Sequence, residues 1–114
     1  MIDPVRMMSN AEQASRFLKT LANPNRLLIL CILSQGERSV GELEGVLKIR
    51  QPTLSQQLAI LRDEALVETR RDGKQIFYKL ASNETERVIG LLYELYCQDA
   101  VGEVPQSSGR QAAQ

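Results

Sequence analysis

Between Leu66 and Leu80 the spacing of apolar residues changes from a helical period to a period of two, and the change pivots on one dipeptide. Leu66-Val67-Glu68-Thr69-Arg70 and Gln75-Ile76-Phe77-Tyr78-Lys79-Leu80 flank Arg71-Asp72-Gly73-Lys74. Asp-Gly between two β-rich runs is the strongest short-range signal for a hairpin. A chain that sets one hairpin behind a series of helices is restricted to few architectures.

The residues before the hairpin read as four helices. Asn10 to Leu21 carries Ala14, Phe17, Leu18 and Leu21 at helical spacing and stops near Ala22. Asn23-Pro24 restarts the chain, with Asn23 as N-cap and Pro24 at the first helical position. From Pro24 to about Ser34 the helix is apolar all round, which predicts a buried central element. Gln35-Gly36 ends it. Ser39 and Glu42 fit a capping box for a short third helix, Val40 to Leu47, and Gln51-Pro52 opens a fourth that runs to about Glu64. Past the hairpin, Asn83 and Glu86 read as a capping pair for a last helix with Val88, Leu91, Leu92 and Leu95 on one stripe. The expected order is helix, helix, helix, helix, strand, strand, helix: mainly α with a β-hairpin wing.

At 114 residues, 43% of them apolar, the chain builds one core and not two. The expectation is a single domain over 1–98 and a disordered tail over 99–114, where Gly, Ser, Gln and Ala dominate. The chain has no membrane-length apolar run and its start lacks the pattern of a signal peptide, so a cytoplasmic protein with no membrane partner is expected. There is no histidine. That excludes Ser-His-Asp and Cys-His catalysis and imidazole metal sites. The expectation, carried by the DNA-reading pattern below, is a protein that is not an enzyme, with no catalytic residues, no metal site and no cofactor.

Formal charge balances at 14 against 14, but unevenly. From Val46 to Leu80, Lys48, Arg50, Arg62, Arg70, Arg71, Lys74 and Lys79 face Asp63, Glu64, Glu68 and Asp72, a local net charge of +3. Short helix, turn, second helix and basic hairpin is the order of a winged helix-turn-helix, whose second helix enters the major groove. On the candidate reading helix, Leu54, Leu58 and Leu61 define the core side. Thr53, Ser55 and Gln56 point away from it, with Gln51 and Gln57 at the margins. Short hydroxyls and amides can bond base edges and phosphates. Lys48 and Arg50 before the helix, Arg62 near its end and Arg70, Arg71 and Lys74 on the wing supply cations for phosphate. Taken alone, the polar face also suits a solvated amphipathic helix, and the basic wing suits a charged edge that discourages aggregation. The order and spacing favour DNA.

Leu21-Ala22-Asn23-Pro24-Asn25-Arg26-Leu27, Gln51-Pro52-Thr53-Leu54-Ser55-Gln56-Gln57-Leu58, Leu61-Arg62-Asp63-Glu64-Ala65-Leu66-Val67 and Arg70-Arg71-Asp72-Gly73-Lys74 resemble the ArsR/SmtB family. The resemblance runs from about Glu12 to Cys97 without gaps. It implies a homodimeric winged-helix repressor that binds double-stranded operator DNA, expected to be an inverted repeat, and releases it when an inducer binds. We expect the first and last helices to form the dimer seam, with Phe17, Leu91 and Leu95 as candidates, each equally suited to the intrachain core. The metal-sensing members carry cysteines where this chain has Ser39-Val40-Gly41-Glu42-Leu43, or Asp and His ligands in the last helix. The remaining carboxylates, Glu86 and Glu94 among them, are a poor soft-metal set.

Cys31 and Cys97 are the two cysteines. Their placement resembles the thiol-based branch of the family, in which matching cysteines are bridged by oxidants or reactive sulfur species as a disulfide or polysulfide. Cys31 alone would be core filler, since cysteine is among the most buried residue types. Beside Glu94 and Asp99, at a helix C-terminus, Cys97 has no local help toward thiolate. Redox sensing by the pair therefore rests on the resemblance. The alternatives are a regulator of this type responding to another ligand, metal or haem, and a transcriptional activator or anti-repressor. A thiol oxidoreductase would want the Cys-x-x-Cys spacing that is missing here.

Overall fold

The computed structural model describes residues 2–97. The domain end expected at 98 and the tail expected over 99–114 lie outside the described residues. The chain runs α1 (Pro4–Leu21), α2 (Pro24–Leu33), β1 (Arg38–Ser39), α3 (Val40–Leu47), α4 (Gln51–Asp63), β2 (Val67–Asp72), β3 (Gln75–Leu80) and α5 (Asn83–Leu92), and closes in a π turn over Tyr93–Cys97. It is a winged helix-turn-helix, mostly helical with a small antiparallel wing.

The core forms around α2. Ile29 and Leu30 are fully buried there, and Leu43 of α3, Leu54 and Leu61 of α4 and Ile89 of α5 meet the same cluster. Each such side chain contributes about 1.5–3 kcal/mol on leaving water. Asn23 caps α2 as expected, its Oδ1 accepting from the Asn25 and Arg26 amides at 2.9 and 3.1 Å. The helix is not buried all round, however: Leu28 is 45% exposed, because a helix packed by neighbours on several sides still leaves one row uncovered.

Four further expectations are corrected. The first helix begins at Pro4 rather than Asn10, because Asp3 Oδ1 accepts from the Val5 and Arg6 amides and proline fits the first turn. The sheet has a third strand: Arg38 and Ser39 pair with Tyr78 and Phe77, giving the order β1-β3-β2. The strands also run closer to the turn than Arg70, with Asp72 paired to Gln75, so the loop is only Gly73-Lys74. Gly73 takes φ +67° at the first loop position, where a type II′ hairpin demands glycine. Finally, α5 is capped by Ser82 and not by an Asn83–Glu86 pair. Ser82 is extended, and its Oγ accepts from the Thr85 amide at 3.1 Å. The inward position on α5 is Ile89, while Leu91 and Leu95 are 54% and 62% exposed. Phe17 takes the intrachain alternative and packs against the core.

The end of α4 sets the direction of the wing. Ala65 sits in the left-handed region at φ +61°. Its amide donates to the Arg62 carbonyl and the next amide, Leu66, donates to Leu61, both at 2.9 Å. These are the two bonds of a Schellman stop, and Leu61 and Leu66 are buried beside it.

Candidate nucleic-acid interface

The expected capping box is present: Ser39 Oγ accepts from the Glu42 amide at 3.1 Å, and Glu42 Oε1 accepts from the Ser39 amide at 2.9 Å. It starts α3 and directs Leu43 into the core. At the other end Lys48 is left-handed, φ 57°, and its amide donates to the Glu44 carbonyl. That kink, with Ile49 and Arg50, makes the three-residue turn of a helix-turn-helix.

Leu54, Leu58 and Leu61 anchor one side of α4 at 2% exposure or less. Gln51, Ser55, Gln56 and Arg62 are exposed, and Thr53 and Gln57 are half-buried. Arg50 ends the turn without supplying a side-chain cap, so the first amides of α4 remain open at the positive end of the helix dipole. Lys48 and Arg50 are exposed on that approach.

The wing separates residues that the sequence left equivalent. Arg71 and Lys74 are exposed near the hairpin tip. Arg70 instead lies over Phe77, 4.5 Å from the ring centroid, and donates to both oxygens of Glu37 at 2.9 Å. This contact, chiefly the side-chain hydrogen bond from Arg70, holds the Glu37 carboxyl below its ordinary range. Three residues that sequence reasoning passed over also matter. Glu37 has no local signal that it meets Arg70. Arg26 donates to the Thr20 carbonyl and to Gln57 Oε1, and Arg16 pairs with Glu64.

Cys31 is buried in α2 at 3% exposure. Cys97 ends the π turn, and its side chain lies outside what the structure describes. α2 packs against α5, the helix that leads into that turn. Among the described residues, no helix is long and apolar enough to cross a membrane.

Residues 23–69 match the family model for bacterial regulatory proteins of the arsR family. The biofilm growth-associated repressor of Agrobacterium fabrum is 55% identical over 91 residues, covering 80% of this chain and 78% of the relative. The transcriptional activator HlyU of Vibrio cholerae is 48% identical over 92 residues, covering 81% of this chain and 85% of its own length. The structure of reduced HlyU matches with a TM-score of 0.78 at 47% identity, over 82% of this chain and 98% of that one. Mb0332 of Mycobacterium bovis, a possible ArsR-family regulator solved as a homodimeric winged helix-turn-helix DNA-binding domain, matches with a TM-score of 0.68 at 32% identity. The match covers 90% of this chain and 94% of that domain. Fold and relatives are those of transcriptional regulators and not of enzymes.

Proposed function

This chain belongs to the arsR family of bacterial regulatory proteins, and from that premise we propose that it is an operator-binding homodimer that represses transcription until Cys31 and Cys97 are bridged. The observation that carries DNA binding is the split face of α4: three buried leucines fix the helix while Gln51, Ser55 and Gln56 stand exposed. Ser55 and Gln56, with Gln51 and Thr53 beside them, are the base readers, while Gln57, whose Oε1 accepts from Arg26, positions the helix from its margin. Lys48, Arg50, Arg62, Arg71 and Lys74 hold phosphate, helped by the uncapped amides at the start of α4. Arg70, engaged by Glu37, positions the wing and reaches phosphate only from its outer edge.

Two reading helices need two subunits. The exposed apolar residues of α1, Val5, Met7, Met8 and Leu18, with Leu91 of α5 and Leu95 of the π turn, provide a surface for a second copy. Mb0332 supports that assembly as a homodimer. A C2 dimer then matches an inverted repeat with half-sites about one DNA turn apart.

The proposed switch joins the two sulfurs. Each thiol loses its proton and the pair gives two electrons to an oxidant; alternatively, two persulfide molecules each pass a sulfane sulfur to Cys97 and leave as thiols, and Cys31 then displaces the terminal sulfur as hydrogen sulfide, closing a bridge longer by one sulfur. Packing of α2 on α5 supports the pairing, because a link between them ties the proposed seam to the helix beneath α4. A second reading, activation by displacement of another regulator, is favoured by the likeness to HlyU. Selection from a random duplex pool, followed by transcription assays with the selected site, tests both. Failure to enrich any sequence over random DNA would sink the proposal, and a rise in transcription on binding would favour activation.

A further inference from the structure

Two side-chain ties run to α4, one from α1 and one from the first turn of α2. Arg16 donates through Nε to Glu64 Oε1 at 2.8 Å and through Nη2 to Oε2 at 3.2 Å, a paired geometry that fixes direction as well as distance. One turn later in α1, the Thr20 carbonyl accepts from Arg26 Nε at 2.6 Å, and Arg26 Nη1 donates to Gln57 Oε1 at 3.2 Å. Arginine carries only donors, so Gln57 must turn its amide oxygen to this side. Gln57 and Glu64 lie about 10 Å apart along α4, at ~1.5 Å per residue. α1, directly through Arg16 and by way of Arg26 of α2, therefore holds α4 at two points about two turns apart, and two points fix an angle where one would allow a pivot.

Stability does not account for the Arg16–Glu64 tie. The Arg16 side chain is 73% exposed, and ion pairs of that kind add little to folding. Their effect is geometric.

We propose that Arg16 and Arg26 set the spacing between operator half-sites that the dimer accepts. The inference rests on the paired reader proposed above: if α1 meets its counterpart in a second copy and α4 enters the groove, a rigid α1–α4 unit converts the packing of two α1 helices into a fixed separation of the reading heads. One added base pair turns a half-site by about 35° and shifts it by about 3.4 Å. A latched dimer cannot follow that change, whereas a loosened one can.

The test uses full-length protein and a duplex selected on it from a random pool. The duplex is rebuilt with the centre lengthened or shortened by one and two base pairs, and as a single half-site. Wild type is expected to lose about tenfold in affinity for each base pair of change, a loss of the size that a misplaced contact brings. In Arg16→Ala combined with Arg26→Met the loss should shrink to about threefold or less, with the single half-site bound within about twofold of wild type. Glu64→Arg alone should relax spacing in the same way, and Arg16→Glu with Glu64→Arg should restore it. That pair of variants decides the matter even if Arg26→Met fails to fold. Should the relaxed variants keep the wild-type spacing profile, the latch is wrong and the paired reader stands. A wild-type protein indifferent to spacing would instead overturn the paired reader, and the latch with it.

Discussion

Arg70 and Glu37 meet through two parallel contacts, Nε to Oε2 and Nη2 to Oε1, each 2.9 Å long, so the wing is tied across the sheet to the residue that precedes β1. The guanidinium spans Phe77 on the way. Glu37 is held below its ordinary pKa chiefly by this hydrogen bond, and a carboxylate with a depressed folded pKa stabilises above its unfolded value and ceases to do so as pH falls through the folded one. The loss therefore begins below about pH 4.3. NMR shifts of Phe77 and Ile76 should move toward unstructured values as pH falls through that window. In Glu37→Gln they should already be displaced at neutral pH and lose this titration. A Phe77 signal that titrates identically in both proteins would count against the tie.

Ala65 occupies a left-handed position that glycine takes without a Cβ penalty. Relief of that strain, about 1 kcal/mol, is partly offset by the greater backbone freedom of glycine in the unfolded chain. Ala65→Gly should leave stability unchanged or raise it by up to about 0.5 kcal/mol. Ala65→Val should lower it by more than about 1 kcal/mol, because a β-branched side chain fits that region poorly. Urea unfolding midpoints measure both. A valine variant as stable as wild type would contradict the Schellman reading of this corner.

The parts of the fold legible in the sequence are those set by neighbours in the chain. Ser39 and Glu42 are three residues apart, Asn23 precedes Pro24, and Leu54, Leu58 and Leu61 share a helix side, so α2, α3, α4 and the polar face follow from local rules. What escaped depends on distant pairing or on a choice between equals. β1 is two residues long, too short to show any period, and exists because Tyr78 and Phe77 offer it partners. Ser82 and Asn83 are both good caps and sit side by side, and only the backbone decides between them. Arg70 and Arg71 look identical in sequence, yet a strand sends adjacent side chains to opposite faces, and Glu37 waits on one of them.

Base readers and phosphate clamps on the proposed interface should separate in binding experiments. Gln56→Ala and Ser55→Ala are expected to reduce discrimination between the selected operator and random DNA, each by about 1–3 kcal/mol if a base contact is lost. Arg71→Ala and Lys74→Ala should weaken both kinds of duplex alike and lower the slope of log affinity against log salt by about 0.9 for each phosphate contact removed. Arg70→Ala should act differently from Arg71→Ala, since it also releases Glu37 and loosens the wing. Titration of each variant at several salt concentrations measures all three effects. Equal losses on every duplex for Gln56→Ala would remove that residue from the base readers.

The cysteine switch makes the most exacting demand. Cys31 is 3% exposed within α2, which leaves an oxidant little access to its sulfur, so the proposed order is modification of Cys97 first and transfer to Cys31 second. Only the second step joins α5 to α2. A direct disulfide requires Cα atoms within about 7 Å, whereas inserted sulfurs lengthen the reach, so persulfide should release operator DNA more readily than diamide if the resting thiols stand farther apart. A link closing 66 residues of chain can favour its linked state by at most about 4 kcal/mol, enough to shift binding by up to about a thousandfold if DNA is held only by the unlinked state. Cys97→Ser and Cys31→Ala should each bind operator when reduced and stay bound after persulfide treatment. Intact mass should show sulfur adducts on Cys31→Ala, and an intramolecular bridge only in wild type. If Cys97→Ser is released as readily as wild type, the bridge is not the switch, and DNA recognition by α4 and the wing stands with a different inducer.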